Sequence, residues 1–365
     1  MTTIITDSGP HYSGAARMIG EELWLTAYEL KGIAGWEVRE EGFCKGEFCV
    51  PAPEEHMVAN GRVNVSALWS KLGWPILHDP RTSSWILGEG AELRARVLDS
   101  LEAPDFILPD LSGALHRLSD FRGTKVLLVT WASWCGCRED LATWEKLYQE
   151  LKDQNFVILA VALDSRGIEA AQEWIDKAKP TYPCLIDVDH RLSELYGMVN
   201  VPQAVWIRED GRIRRPTETA GVTDAFRSMD PETFDWPEPA RQERERAREI
   251  YLDAVRDWVS HGDESDFALD EDVARQRLIS VHDDIAMAQA CFRLGRFLVA
   301  QNQRKEGMRY LERASELHPD SWSIWRQMAD LEEVGKSMGG EFWKRVKALG
   351  KRKYYEPANI PGMPG

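Results

Sequence analysis

Trp131-Ala132-Ser133-Trp134-Cys135-Gly136-Cys137-Arg138 joins an apolar run, Val126-Leu127-Leu128-Val129, to a helical pattern that begins near Asp140 and runs to Leu151. A strand that passes directly into a helix leaves free N–H groups and the positive end of the helix dipole at the junction. A cysteine placed there has its thiolate stabilised, and the thiolate is the nucleophilic form. Cys135 holds that place, and Cys137 follows two residues later. In a regular α-helix, residues two apart point about 200° from each other, whereas residues three apart lie about 60° apart. A Cys135–Cys137 bridge therefore requires a distorted first turn, and Gly136 is the residue free to supply an unusual backbone conformation. On a regular turn Cys135 works alone and another thiol resolves it.

Around this junction the chain alternates. Strands are expected at Lys125–Trp131, Phe156–Leu163, Cys184–Asp187 and Gln203–Arg208. Helices are expected at Asp140–Leu151, Ile168–Lys179 and Leu192–Tyr196. Alternation of this kind gives a central sheet with helices on both faces, an α/β architecture. Asp210-Gly211 is a turn signal that starts a hairpin to Ile213. The flanks differ. Residues 1–100 read as a small α+β domain, with a strand at Leu23–Leu25, Thr26 capping a helix to Ile33, a helix at Val65–Leu72 and a strand at Trp85–Leu87. Residues 101–228 form the alternating domain. Residues 229–365 begin with a linker rich in Pro and Asp and then become helical, an all-α domain. Its first helix, Arg241–His261, carries a dense charge run that reads as a solvated face in preference to a docking face.

Three further stretches carry a family resemblance. Ala103-Pro-Asp-Phe106, Leu108-Pro-Asp-Leu111 and Leu118-Ser-Asp-Phe-Arg-Gly123 resemble the entry segment of thioredoxin-fold redoxins of the TlpA/ResA and AhpC/TSA group. Trp131–Cys135 is similar to that group's approach to its active site. Glu194-Leu-Tyr-Gly197 with Val201-Pro202 resembles the segment that ends at its cis-proline, and Val205–Ile213 its last hairpin. The resemblance covers about residues 102–215. It implies a thiol–disulfide oxidoreductase with Cys135 as nucleophile and Cys137 as resolver. It also implies support from Trp134 shielding Cys135, from Gly136 between the cysteines, and from Arg138 adding positive charge. Pro202 is implied as the cis-proline, and the backbone of Val201 as a substrate contact. Two departures stand out. The family spaces its cysteines by two residues, whereas here only Gly136 intervenes. Thioredoxins proper carry a buried Asp on the strand before the motif, where this chain has Val129 or Thr130. A peroxiredoxin-like thiol peroxidase is the enzyme alternative. It is disfavoured because the Thr expected three residues before the reactive cysteine is Ala132, or Trp134 when counted from Cys137. The non-enzyme alternative is a redox-sensing adaptor that binds partners through the helical tail.

Of the six cysteines, Cys44 and Cys49 form a second close pair. They admit three readings: a second dithiol, half of a metal site with only His56 nearby, or two packed residues in a small domain. Cys184 begins a core strand and is a buried hydrophobe or a distant resolver; Cys291 is packing. The histidines show no ligand spacing, so neither a metal nor a cofactor is implied. Leu294, Gly295, Leu298, Gly307, Leu311, Ala314 and Pro319 match the spacing of a tetratricopeptide repeat, with a degenerate second pair at Trp322–Gly339 and Glu341–Leu349. One and a half repeats suit either partner binding or capping, with the helices packed on the thioredoxin-like domain. A net charge of −15 argues against nucleic acid or an anionic membrane as partner. The expected partners are protein or low-molecular-weight thiols and disulfides. The N-terminus lacks a charged segment followed by an apolar block, so a cytoplasmic location is expected.

Overall fold

The computed structural model describes residues 1–51, 57–279 and 282–365. The chain divides into two compact units: Met1–Arg94 with Val281–His318, and Ala95–Ser280 with Pro319–Gly365. The sequence had suggested three successive domains, and the helical tail is where the two pictures part. Its segments do not form a body of their own, because one helix pair completes the first unit and the remaining helices complete the second.

The second unit is built on a five-stranded sheet of β1 (Lys125–Trp131), β2 (Phe156–Leu163), β3 (Cys184–Asp187), β4 (Gln203–Ile207) and β5 (Ile213–Thr219), in the order β3-β2-β1-β4-β5. β1, β2 and β3 run parallel, with Val129 opposite Ala160 and Val161 opposite Leu185. β4 and β5 are antiparallel additions on the other side of β1. The eight residues of β2 are all apolar and all buried, the pattern of a strand covered on both faces. Helix α1 (Leu141–Leu151) buries Leu141, Trp144, Leu147 and Leu151, a spacing that puts them on one stripe. Helices α2 (Ile168–Ala178) and α3 (Arg191–Tyr196) complete the crossovers. The hairpin between β4 and β5 turns at Gly211, whose φ of 80° lies in the left-handed region that glycine tolerates. This is the thioredoxin-like fold.

Helix α4 (Glu238–His261) turns Tyr251, Leu252, Ala254, Val255 and Trp258 into the same core. There the Trp206 indole donates to the Tyr251 hydroxyl at 2.9 Å and stacks on Trp258. Helices α5 (Trp322–Glu332) and α6 (Gly340–Ala348) gather Trp325, Phe342, Val346, Tyr354 and Tyr355 into an aromatic cluster. No helix among the described residues is long and apolar enough to cross a membrane.

The first unit contains more strand than its sequence suggested. Its main sheet orders the strands Ile76–Asp79, Ser84–Leu87, Thr2–Thr6 and Gly9–Ser13. The helices Asp283–Ala300 and Arg304–Leu317 pack against it, with Leu294, Phe297 and Leu298 meeting Ile5 and Ile86. The two helices approach closely because both contact positions are glycine: a Cβ on Gly295 would lie 2.7 Å from the Gly307 carbonyl oxygen. The first repeat pair therefore packs on the N-terminal sheet.

Candidate functional site

β1 ends at Trp131, and the chain reaches Cys135 in an extended conformation, φ −105° and ψ 141°. Cys135 is the N-cap of a short 3-10 turn, Gly136–Asp140, which runs into α1. The Cys137 N–H donates to Cys135 Sγ at 3.2 Å. The two cysteines are joined as a disulfide with their Cα atoms 5.2 Å apart, inside the range a disulfide spans. The regular α-helical first turn considered from sequence is absent. Cys135 stands outside the helix, and the turn that follows is the tighter 3-10 form. Gly136 is not among the glycines with positive φ, so the departure lies at Cys135 and in the 3-10 turn rather than in a left-handed glycine.

Facing the disulfide is the loop before β4. The Val201–Pro202 peptide bond is cis, the geometry the resemblance implies. Cys135 Sγ lies 3.5 Å from the Val201 carbonyl oxygen. Thr130, near the end of β1, holds this loop in place: its hydroxyl donates to the Gln203 carbonyl at 2.9 Å and accepts the Gln203 N–H at 3.2 Å. The Gln203 side-chain oxygen in turn accepts the N–H groups of Val199 and Asn200. Where thioredoxins proper carry a buried acid on this strand, the chain has a hydroxyl clamp.

Trp134 is 1% exposed. Its indole donates to Gln327 of α5 at 3.3 Å, and the Arg326 guanidinium lies 4.5 Å above its ring. Arg326 also donates to the Trp134 carbonyl at 2.6 Å, the Ser337 carbonyl at 3.1 Å and the Tyr354 hydroxyl at 3.1 Å. Arg138 donates to the Ser133 carbonyl and lies 3.9 Å over the Trp174 ring. Burial lowers its pKa from the ordinary arginine value. From the C-terminal tail, the Tyr355 hydroxyl donates to the Val201 carbonyl at 3.1 Å and sits 3.9 Å from Cys135 Sγ. The Asp224 carboxylate fixes this tail by accepting the N–H groups of Tyr354 and Tyr355.

Two buried carboxyls flank the motif. Asp140 is pushed up by burial, against the pull of Arg244 and Arg248, which reach it from α4 at 3.3 and 3.1 Å. Asp164, immediately after β2, is also pushed up by burial and accepts both the N–H and the hydroxyl of Ser133. Part of the charge run on α4 thus turns inward, where the sequence had suggested a solvated face. The pattern of the run carried no sign of this, since its partner lies a hundred residues away. Tyr355 and Arg326 were likewise missed: Tyr355 stands in a tail with no motif, and Arg326 lies in the degenerate repeat pair, whose spacing does not mark it as part of a site.

Of the other cysteines, Cys184 belongs to the same unit as this pair, and Cys44, Cys49 and Cys291 belong to the first unit. Cys184, on β3, is buried and its thiol is pushed up to about 12, which disfavours a resolving thiolate. Burial raises Cys291 to about 11. Cys44 and Cys49 stand opposite each other on paired antiparallel strands, Cα atoms 4.1 Å apart, and are joined as a disulfide. Each sulfur is bonded to the other, so in this state neither is a thiolate ligand for a metal. His56 lies outside the described residues.

Residues 100–215 match the AhpC/TSA family, and residues 287–331 match the tetratricopeptide repeat. Thiol-disulfide oxidoreductase ResA of Geobacillus thermodenitrificans is 32% identical over 114 residues, which are 31% of this chain and 65% of that protein. The chain thus spans just under two thirds of that relative's length. ResA of Halalkalibacterium halodurans is 31% identical over 124 residues, 34% of this chain and 69% of that protein. Among solved structures, the thioredoxin domain of a thiol-disulfide oxidoreductase from Bacteroides vulgatus is 30% identical, with a TM-score of 0.29, over 30% of this chain and 81% of that one.

Proposed function

Because the chain belongs to the ResA family of thiol-disulfide oxidoreductases, we propose that it exchanges electrons with thiols and disulfides through Cys135 and Cys137. The observation that carries this reading is the joined pair at the strand-to-turn junction, with a backbone N–H directed at Cys135 Sγ. In the reduced protein that N–H stabilises the Cys135 thiolate. The thiolate attacks one sulfur of a disulfide, a new S–S bond forms to Cys135, and the other substrate sulfur leaves as a thiolate with the bonding electron pair. The Cys137 thiolate then attacks Cys135 Sγ. The Cys135–Cys137 bond forms and the second substrate thiolate leaves. Two electrons pass from the protein dithiol to the substrate, and the two cysteine protons are available to the two leaving thiolates. Oxidation of a dithiol runs the same steps backwards.

Trp134 and the Val201–Pro202 loop wall the reacting sulfur, and Arg138 contributes positive charge; a Cβ on Gly136 would meet nothing within 4 Å, so that position is open. The test is insulin reduction and reduction of a small disulfide by the full chain, together with a mass-spectrometric disulfide map of the oxidised protein. A Cys135–Cys137 bond and turnover that is lost in Cys135→Ser support the reading. Full turnover in Cys135→Ser overturns it.

A further inference from the structure

We propose that the site takes small anionic disulfides with an apolar or aromatic body, in preference to disulfides carried on extended polypeptide. The inference rests on the reading of Cys135–Cys137 as the exchanging pair.

Three observations carry it. First, the sulfurs are enclosed: Cys135 is 2% exposed and Cys137 5%. Both line a cavity of about 360 Å³, near the lower end of the range for small-molecule sites. Second, the main chain beside Cys135 is already engaged within the chain. An extended substrate docks by main-chain hydrogen bonds to free backbone groups. The Val201 N–H donates to Asn200 Oδ1 at 2.9 Å, the Val201 carbonyl accepts the Tyr355 hydroxyl at 3.1 Å on the side of Cys135 Sγ, and Pro202 has no N–H to offer. Third, the lining is both aromatic and cationic. Phe226, Phe234, Trp236 and Trp343 supply apolar walls. Of the charged lining groups, Arg138, Arg244 and Arg326 face only Glu139 and Asp140. Glu139 is held outward by Lys177 at 3.1 Å, and Asp140 is shared between Arg244 and Arg248. Arg138 and Arg326 make their hydrogen bonds to backbone carbonyls and a hydroxyl; among the described residues no carboxylate lies within ion-pair distance of either, and Glu139 and Glu173 act on Arg138 only through space. On a chain with a net charge of −15, a wall with surplus positive charge selects for anions and speeds their approach.

The chemistry is the exchange already written: the reduced dithiol is oxidised to the Cys135–Cys137 disulfide, the small disulfide is reduced to two thiolates, and a dithiol reductant restores the protein. The experiment measures second-order rate constants of the reduced full chain with three probes: dithiobis-nitrobenzoate (aromatic, anionic), cystamine (aliphatic, cationic) and insulin. Each is divided by the rate of the same disulfide with free dithiothreitol, which removes intrinsic reactivity. The proposal expects the normalised rate for dithiobis-nitrobenzoate to exceed that for cystamine by about tenfold or more at low salt, with the ratio shrinking as salt rises. Arg138→Gln is expected to lower that ratio, and Tyr355→Phe to raise the insulin rate relative to the small probe. Equal normalised rates for all three in the wild type, or insulin the fastest, overturn the inference and leave the exchange reading standing. Failure of the reduced protein to react with any disulfide overturns the exchange reading itself.

Discussion

The molecule carries two disulfides, and their surroundings differ in almost every respect. Cys44 and Cys49 sit opposite one another in a β-ladder, where each backbone is fixed by strand pairing before the sulfurs meet. Among the described residues no donor is directed at either sulfur. Cys135 and Cys137 sit where a sheet gives way to a helix. There an N–H points at Cys135 Sγ, a cis-proline loop faces it, and a cavity opens beside both sulfurs. The first pair closes a hairpin, and the second lines a cavity that the elements around it enclose. Spacing between cysteines does not tell these cases apart; the backbone that presents them does.

The strongest way to break this comparison is to remove each pair in turn. Cys135→Ser should reduce disulfide exchange by about 10³-fold or more, since it deletes the attacking atom. Steady-state insulin or dithiobis-nitrobenzoate reduction reads this directly, and a loss of less than tenfold would count against the contrast. Cys137→Ser should have a smaller effect on the first attack and a clear one on turnover. The mixed disulfide on Cys135 then persists long enough for mass spectrometry to detect it without reductant. If no adduct accumulates, resolution belongs to another thiol.

The framework of this contrast was legible in the sequence to different depths. β1, β2 and β3 were readable to the residue because their apolar runs are continuous, as strands buried on both faces must be. The places of Cys135, Cys137 and the cis-proline Pro202 were readable because each sits in a local motif. The geometry of the first turn was not, because one deleted residue is compatible with either a twisted α-turn or a 3-10 turn. What lay beyond reach was the wall of the site contributed from far along the chain. Arg326 and Tyr355 meet Trp134 and Val201 across more than 150 residues, and such contacts leave no periodicity behind. The grouping of the helical tail was hidden for the same reason. Gly295 and Gly307 announce a close helix pair, but not the sheet on which that pair rests.

A second, smaller effect sharpens the structural half of the comparison. Replacing both Cys44 and Cys49 by Ser should leave exchange within about twofold of wild type, because in this reading the pair takes no part in the exchange. Its cost should be in stability. Cross-linking a loop this short removes chain entropy worth about 2 kcal/mol from the unfolded state. Denaturant unfolding of the oxidised double variant, beside oxidised and reduced wild type, measures it. A loss of activity under conditions where the double variant remains folded would make Cys44–Cys49 part of the chemistry and collapse the distinction.

The smallest effect concerns the buried carboxyls of the second unit. Asp187, at the end of β3, accepts the N–H groups of Arg191 and Leu192 at 2.8 Å each, yet burial dominates and its carboxyl is pushed up to about 6 from 3.8. Below about pH 4 the group is protonated in both the folded and unfolded states and contributes no pH dependence. Between about 4 and 6 the unfolded chain releases its proton while the folded one keeps it, so the unfolded state binds fewer protons and stability falls as pH rises. Above about 6 the carboxyl is ionised in both states and the loss is complete. For one group the slope is at most about 1.4 kcal/mol per pH unit. Asp140 and Asp164 are shifted in the same direction and add to it. Asp187→Asn should therefore flatten this part of the stability–pH curve, measured by urea unfolding from pH 4 to 7, by removing one of three contributors. If the variant keeps the full slope, the carboxyl is already ionised in the fold at pH 4 and the two N–H donors outweigh its burial.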